Sequence, residues 1–192
     1  PLSDILARYT SKRRLIVLAY HRVSEYEEGF LFDDGVISAT LEDFEMQLRF
    51  IKKRFSVITL EELHQHVVYN MELPENSVMI TFDDGYKDNY HNVFRLLRKH
   101  DLRATFFVTT EYIEKRDIFW WDKIAYIIKS CEKDVVTLSY PYEMKLAVKT
   151  PDDKLKTIKE LQKVVKTTYN IDLGFFINEL ASGSEVDLRE VN

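Results

Sequence analysis

Four short apolar runs, separated by stretches of helical periodicity, constrain the fold of this chain most strongly. Each run is rich in Val, Ile, Phe or Thr, a composition that is typical of a buried strand. The predicted strands cover residues 15–20, 55–60, 78–82 and 104–109. Because helical patterns lie between these strands, their order predicts a parallel sheet or barrel with helices on its outside.

The connections between the predicted strands carry recognisable helix signals. Residues 41–54 have an apolar stripe, and Thr40 in front of them is a predicted N-cap. Thr59 and Glu62 have the spacing of a capping box, which predicts a short helix after them. Residues 89–100 carry a further apolar stripe, so each connection in this part of the chain is predicted to be helical.

The alternation of strands and helices stops after residue 110. The later part is predicted to contain helices at 119–131, 153–168 and 175–180 and a hairpin at 134–149, with its turn at Tyr140, Pro141 and Tyr142. We therefore interpret residues 111–192 as an excursion, made of helices and a hairpin, from the alternating core of residues 1–110.

Charge, cysteine content and hydropathy narrow the class of protein. The net charge of -5 and the lack of a basic stripe argue against nucleic-acid binding. Cys131 is the only cysteine, so an intrachain disulfide is impossible, which fits a reducing compartment. No apolar run is long enough to span a bilayer, and residues 1–14 lack a signal-peptide pattern. These features slightly favour the cytoplasm, although a chain beginning with Pro1 could have lost a targeting segment upstream.

Asp83 and Asp84 are adjacent carboxylates that follow an apolar strand and precede Gly85. Glycine permits a sharp turn, so both carboxylates can reach one cavity at the end of the sheet where ligands of parallel folds bind. A cation would compensate the repulsion between them, with one carboxylate as ligand and the other as base. The structural alternative is a turn whose acids cap the next helix. The same four residues recur at 32–35, where we predict a loop turn because no clean strand precedes them.

Four blocks of this sequence resemble one enzyme family, and one of them, residues 41–60, fits the helix and second strand of one branch of it. The run TFDDGY at 81–86, followed by Asp88 and Asn89, resembles the first motif of the polysaccharide deacetylases, the NodB homology family or carbohydrate esterase family four. The run AYHRV at 19–23 is similar to the opening strand of one branch of that family. The run ATFFV at 104–108 is similar to the strand that follows the first motif. The resemblance covers about residues 14–110.

This resemblance implies a distorted TIM-like (β/α) barrel, here incomplete. Residues 1–110 are then its first half, and residues 111–192 are an insertion of helices and a hairpin after the fourth strand, within the same domain. It also implies hydrolysis of an N-acetyl, sometimes O-acetyl, group on a sugar polymer. By the same analogy Asp83 is the general base and Asp84 a metal ligand. The metal, often zinc, polarises the carbonyl and the attacking water. Family members complete its ligand set with two histidines from a second motif, His-(Ser/Thr)-x-x-His.

That second motif is absent from this sequence, which contains five histidines. His64 and His66 are predicted to lie on the surface of a helix, and His91 and His100 lie on a helix away from a strand end. His21 ends the first strand, at the rim predicted for the two carboxylates. It either lines the site or is a hydrogen-bonded rim histidine that holds structure, and the sequence leaves both interpretations open.

The missing histidines leave two explanations for the chain. It is either a fragment of a longer protein that carries the histidines and later strands, which we favour, or a natural truncation that is inactive or completed by a second chain. One protein ligand is fewer than the three that catalytic zinc sites usually have.

Two other functions are compatible with parts of the sequence. A non-catalytic carbohydrate-binding remnant would use an aromatic cleft built from Tyr20, Tyr86, Trp120 and Trp121, of which Tyr86 would also line a deacetylase site. The alternative for the two tryptophans is packing of the helix that they begin. A phosphoesterase using paired aspartates is disfavoured, because no Gly-rich loop or Lys/Arg cluster accompanies them.

Overall fold

The computed structural model describes residues 15–191. The prediction made for residues 1–14 therefore lies outside the described residues. By its internal contacts the chain divides into two compact units. The first comprises Pro1–Glu27 and Gly35–Thr110, and the second comprises Glu28–Asp34 and Glu111–Asn192. The assignment of residues 111–192 to an insertion within one domain stays a prediction.

The first unit is an α/β structure whose elements follow the predicted alternation. Its strands and helices are β1 (Ile16–Tyr20), β2 (Arg22–Val23), β3 (Ile37–Ala39), α1 (Leu41–Arg54), β4 (Ser56–Val57), α2 (Leu60–Tyr69), β5 (Ser77–Phe82), α3 (Phe94–His100) and β6 (Thr105–Phe106). A π-helical turn, Asn89–Val93, leads directly into α3. A 3-10 turn, Asp34–Val36, precedes β3.

Strand β5 is the centre of a four-stranded parallel sheet. It pairs with β1 along its length, from Ile16 opposite Val78 to Tyr20 opposite Phe82. The short strands β4 and β6 pair with opposite ends of β5, so they share the edge that β1 does not occupy. All six residues of β5 are buried, as expected for a central parallel strand. The parallel sheet is thus confirmed, whereas the strands within residues 15–191 do not close into a barrel.

The predicted strands 55–60 and 104–109 are shorter in the structure, where only Ser56–Val57 and Thr105–Phe106 are extended and paired. Both pair with only two residues of β5. Single hydrogen bonds continue each ladder by one step: the amide of Ile58 donates to the carbonyl of Val78 at 2.8 Å, and that of Phe107 to Phe82 at 2.7 Å. The apolar pattern therefore marks where a strand lies but not where its pairing stops. The expectation that both runs are buried was wrong, since Ser56 and Val57 are half-buried and Phe106 is exposed.

The helix signals of the first unit are confirmed. Thr40 caps α1, since its hydroxyl accepts a hydrogen bond from the amide of Asp43 at 3.1 Å. Thr59 and Glu62 form the predicted capping box of α2. The apolar stripe of α1 is buried against the sheet, in a core whose fully buried members include Phe44, Leu48, Ile51, Val78, Ile80 and Phe82.

The chain after β6 forms α4 (Thr110–Lys115), α5 (Trp120–Ser130), β7 (Val135–Leu138), β8 (Met144–Ala147), α6 (Pro151–Thr167) and α7 (Leu173–Ser184), followed by a 3-10 turn (Leu188–Glu190). In the second unit, α5, α6 and α7 pack with the β7–β8 hairpin around one core. The hairpin and all three predicted helices are confirmed. Helix α7 is longer than the predicted 175–180, because Asp172 caps it and accepts a hydrogen bond from the amide of Phe175 at 2.9 Å.

A separate apolar core holds the second unit together. Its fully buried members include Ile124, Ile127, Ile128, Val136, Leu161, Phe176 and Leu180. Trp120 packs against this core, and Trp121 stacks on Phe119 with ring centroids 4.6 Å apart. Both tryptophans therefore pack within the second unit, as the structural interpretation of that helix predicted. No helix within the described residues is sufficiently long and apolar to cross a bilayer.

Candidate active site at the carboxyl end of strand β5

The chain turns sharply where β5 ends, and this turn presents the two adjacent carboxylates. The amide of Asp83 still donates to the carbonyl of Tyr20 at 2.9 Å, which extends the β1–β5 ladder by one residue. Asp84 and Gly85 then adopt left-handed backbone conformations, with φ of 72° and 81°. Because left-handed residues break the alternation of a strand, Asp84 need not point away from the face that Asp83 uses. The hydroxyl of Thr109 donates to the Asp84 carbonyl at 3.1 Å and holds the turn.

Gly85 is required at this turn for two reasons. Its φ of +81° is a conformation that other residues rarely adopt. A Cβ atom at this position would also lie 3.0 Å from Cγ1 of Val108, a tight contact that would require Val108 to shift by a few tenths of an ångström. The glycine therefore permits both the turn and the close approach of the segment that follows β6.

The carboxylate of Asp84 is buried without a hydrogen-bond partner on one oxygen. Its side chain is only 13% exposed. No described residue donates to its Oδ2 atom, which is inaccessible to solvent. Burial raises the pKa of Asp84, and the negative charge of Asp83 raises it further, while His21 opposes this by lowering it. Buried polar atoms are nearly always hydrogen-bonded, and Oδ2 of Asp84 shares its unpaired state with three other described side-chain atoms, in Asn76, Asn89 and Ser184. Asp84 is the carboxylate among them, so its free oxygen is the one suited to a cation.

His21 lies beside Asp84, at the end of β1. Its Nε2 atom is 4.0 Å from Oδ2 of Asp84, which is too long for a hydrogen bond but close enough for electrostatic interaction. The imidazole is 43% exposed, so it also faces solvent. The structure thus brings His21 to the same rim as Asp83 and Asp84, although its role there stays a prediction.

Tyr86 belongs to a cavity next to the turn. The guanidinium carbon of Arg22 lies 4.8 Å from the centre of the Tyr86 ring, a cation–π geometry. The cavity has a volume of about 420 Å³. It is lined by Gly85, Tyr86, Asn89, Tyr90, Phe94, Phe106 and Val108.

Tyr20 does not line a cleft, and its inclusion in the predicted aromatic cleft was wrong. It is only 4% exposed, and its ring packs between those of Phe44 and Phe82. Its hydroxyl donates to Oε1 of Gln47 at 2.6 Å, and burial raises the pKa of this phenol. Tyr20 is thus a core residue whose hydroxyl is hydrogen-bonded. Residue type alone does not predict this role, because tyrosine occurs both in cores and in binding clefts.

The other four histidines have local partners or face solvent. His64 and His66 are exposed on α2, as predicted, and Nδ1 of His66 lies 2.7 Å from the carbonyl of Met71. His91 is exposed, and Nε2 of His100 lies 3.0 Å from Oε1 of Glu45. Among residues 15–191, no three side chains of His, Cys, Asp or Glu lie close enough together to hold a metal ion. The orphaned Asp84 oxygen fits one position in a cation site, but the described residues do not complete it.

The second copy of the Phe-Asp-Asp-Gly sequence provides an internal comparison. It lies in a loop and a 3-10 turn, as predicted, and its carboxylates are engaged. Oδ2 of Asp33 accepts a hydrogen bond from Gln162 at 2.7 Å. Oδ2 of Asp34 is paired with Nζ of Lys129 at 2.7 Å. The same four-residue sequence therefore has paired carboxylates at 32–35, whereas at 82–85 it leaves one buried carboxylate oxygen unpaired.

Three residues at the rim were not singled out as functional by sequence reasoning. Asp88 and Asn89 entered only as part of the family resemblance, and Arg22 only as part of the run AYHRV at 19–23. Arg22 donates from Nε to Oδ2 of Asp88 at 2.7 Å, and Asn89 is 4% exposed. The sequence signal that could have indicated this cluster is a polar residue, Asn89, beside the buried apolar stripe of a helix.

Comparison with known proteins identifies the family. The sequence model described as polysaccharide deacetylase matches residues 70–177, more than half of the chain. The chain therefore belongs to the polysaccharide deacetylase family, a group of hydrolases.

Individual relatives are distant in sequence. The Bacillus subtilis protein YxkH, which bears the name of the same family, is 27% identical over 96 residues, covering 50% of this chain and 32% of YxkH. The chain thus matches less than two thirds of the length of this relative. Among solved structures, IcaB from Ammonifex degensii has a TM-score of 0.48 and 18% identity, covering 90% of this chain and 81% of IcaB. The Streptococcus pyogenes deacetylase PplD, in complex with acetate, has a TM-score of 0.43 and 18% identity, covering 92% and 82%.

Proposed function

We propose that this protein is part of a metal-dependent deacetylase that removes acetyl groups, N-acetyl in the first place, from a polysaccharide or amino-sugar oligomer. The observation that carries the proposal is the buried, unpaired Oδ2 of Asp84 beside His21, at the carboxyl end of a central parallel strand. Ligands of parallel α/β folds bind at this end of the sheet. Membership of the polysaccharide deacetylase family supplies the reaction class.

Asp84 has the properties of a cation ligand. A carboxylate that served only the fold would accept hydrogen bonds on both oxygens, whereas this one keeps an oxygen free at a cost in folding free energy. The raised pKa of Asp84 has the same origin, because no donor compensates the burial of its charge. A bound divalent cation, zinc by family analogy, would supply a Lewis acid for the acetyl carbonyl and lower the pKa of a bound water.

Asp83 is the proposed general base. Its carboxylate would accept a proton from the attacking water while the water oxygen bonds to the acetyl carbon. The bond between that carbon and the sugar nitrogen then breaks, the nitrogen takes up the proton and acetate leaves. The backbone of Asp83 continues the ladder of β1 and β5, which fixes the position from which its side chain extends.

The proposal needs ligands besides Asp84. His21 is the nearest histidine of the described residues to Asp84, and the sequence contains no His-(Ser/Thr)-x-x-His. We therefore assign the remaining ligands, and the strands that close a barrel, to protein beyond these 192 residues or to a second chain.

A second candidate function is sugar binding without catalysis. The cavity of about 420 Å³ beside Gly85 favours it, because its lining includes Tyr86, Tyr90 and Phe106. Aromatic rings of this kind can stack on the apolar face of a sugar. Sugar binding of this type would persist without any added metal, whereas the deacetylase proposal requires a cation at Asp84.

Substitution of Asp83 tests the catalytic assignment. In the full-length protein with zinc, Asp83→Asn should lower acetate release from an N-acetylated amino-sugar oligomer by about 10²–10⁴-fold, the usual contribution of a general base. Asp33→Asn, at the equivalent position of the second copy, is the matched control and should retain activity. An Asp83→Asn protein as active as the wild type would show that the proposed base is wrong.

Metal titration tests the other carboxylate. Calorimetric titration with zinc chloride should show binding to the wild-type protein and to Asp83→Asn. Binding should be weakened at least tenfold in Asp84→Asn, because one charged ligand is lost. Equal affinities for wild type and Asp84→Asn would remove Asp84 from the ligand set.

A further inference from the structure

The segment that follows β1 leaves the sheet at His21 and needs hydrogen-bond partners of its own. His21 is the single residue between β1 and β2, and its amide donates to Oγ of Ser38 at 2.9 Å. The side-chain amide of Asn89 donates to the His21 carbonyl from Nδ2 at 2.8 Å. Side chains thus bind both backbone groups of His21.

The same turn of helix also binds Val23, two residues further along that segment. Oδ1 of Asp88 accepts a hydrogen bond from the amide of Val23 at 3.3 Å. Nδ2 of Asn92 donates to the carbonyl of Val23 at 2.9 Å. Asp88, Asn89 and Asn92 together clamp residues 21–23, and we call them the polar clamp. The π-helical turn Asn89–Val93 places their side chains toward one segment.

Asn89 is the buried centre of the polar clamp. Its Nδ2 also donates to Oδ1 of Asp88 at 3.3 Å, so both protons of the amide are used. The orientation of the amide follows from chemistry, since Oδ1 facing the His21 carbonyl would place two acceptors together. Asp88 is held in turn by Nε of Arg22, at 2.7 Å, with both side chains nearly buried.

The polar clamp acts directly on the geometry of the proposed site. Asp88 and Asn89 follow Asp84 by only four and five residues, so one short segment carries both the carboxylate and the clamp. The β1–β5 ladder fixes Tyr20 against Phe82, and Asn89 fixes His21 one residue further on. The His21 backbone is therefore held by two side chains, Ser38 at its amide and Asn89 at its carbonyl, and the Asn89 bond comes from the segment that also carries Asp84.

We infer that Asn89, supported by Asp88, is a positioning residue that holds His21 beside Asp84. The inference deepens the proposed function, since it concerns the same rim. It assigns to Asn89 no contact with substrate or metal. A displacement of about 1 Å in such a group can lower turnover by as much as about 10²-fold, so a single amide bond at this place affects catalysis.

Histidine NMR tests the inference without requiring catalysis. In the full-length protein labelled in its histidine rings, the His21 signals are assigned by their loss in His21→Gln. Asn89→Ala and the nearly isosteric Asn89→Leu should shift or broaden the His21 signals. Asn92→Ala is the matched control, because Asn92 binds the same segment at Val23, and it should leave the His21 signals in place.

Kinetics supplies the second readout. Both Asn89 variants should lower kcat for acetate release by about tenfold or more, with KM changed less than twofold, because orientation rather than binding is lost. If the wild type released no acetate, the proposed function would fail while the NMR comparison still decided the role of Asn89.

Two outcomes would overturn the inference. One is a pair of Asn89 variants whose His21 signals match those of the wild type. The other is an Asn92→Ala protein that disturbs those signals equally, which would indicate general loosening of the segment. If the Asn89 variants do not fold, the wild type itself decides: the side-chain amide protons of Asn89 should exchange slowly with solvent, and fast exchange would contradict the bond to His21.

Discussion

Gly85 meets two demands at one position, a left-handed backbone and the absence of a side chain. Gly85→Ala should lower the free energy of unfolding by about 1–3 kcal/mol, through backbone strain and contact with Val108. Urea denaturation measures this loss. Gly29→Ala is the matched control, because Gly29 has a similar φ of +80° but open space around its Cβ position. Equal losses in the two variants would show that the contact with Val108 contributes nothing.

At the scale of single residues, the sequence predicted the positions of the acids better than their surroundings. Asp83, Asp84 and His21 lie at one rim because the ends of neighbouring parallel strands coincide, a rule that needs only the strand order. The polar clamp was not predicted, since its bonds join residues more than sixty positions apart in the chain. Tyr20 was wrongly predicted to line a cleft, because the sequence does not show whether an aromatic residue is buried in a core or exposed in a cleft.

At the scale of elements, the segment Glu28–Asp34 depends on one lysine of α5. Nζ of Lys129 donates to the carbonyls of Phe30 and Phe32 at 2.9 and 2.6 Å, in addition to its ion pair with Asp34. The amide of Asp33 donates to Oδ1 of the buried Asp122 at 2.9 Å. This segment, which contains no strand or α-helix, is therefore held by Lys129 and Asp122 together with the bond from Gln162 to Asp33.

Lys129→Met should release this segment. The substitution keeps the length of the side chain but leaves several acceptors unpaired, and we expect a loss of about 1–3 kcal/mol in the free energy of unfolding. Limited proteolysis should then cleave within residues 28–34 faster than in the wild type. Lys149→Met is the control, because the ion pair of Lys149 with Asp134 is largely exposed. Cleavage of Lys129→Met at the wild-type rate would show that Lys129 does not hold residues 28–34 in place.

Helices were easier to predict from the sequence than strands. The capping box at Thr59 and the apolar stripe of α1 are local signals, and both elements appear where they were expected. Strand ends depend on the partner, and β4 and β6 stop early because each pairs with only one end of β5. The short parallel pair of β2 and β3 was missed, since two or three residues carry no periodic pattern.

At the scale of the whole molecule, the chain contains two apolar cores with no buried residue in common. Phe176→Ala, in the core of the second unit, should cost about 3–5 kcal/mol by leaving a cavity. Hydrogen exchange should accelerate first in α5, α6 and α7. Phe44→Ala, in the core of the first unit, is the reciprocal control and should accelerate exchange first in α1 and β5. Uniform acceleration throughout the chain by either variant would argue for one cooperative core.

The pairing of β1 with β5 has a kinetic consequence for the rim. Ile16 and Val78 are partners across the ladder although 62 positions separate them, the difference of their residue numbers. Closing so long a loop costs conformational entropy before the sheet returns any stabilisation, and such non-local contacts slow folding. His21 and Asp84 come together only after this closure. A probe that detects their proximity would therefore follow the closure of the loop between β1 and β5. Its signal would report when the sheet of the first unit has formed.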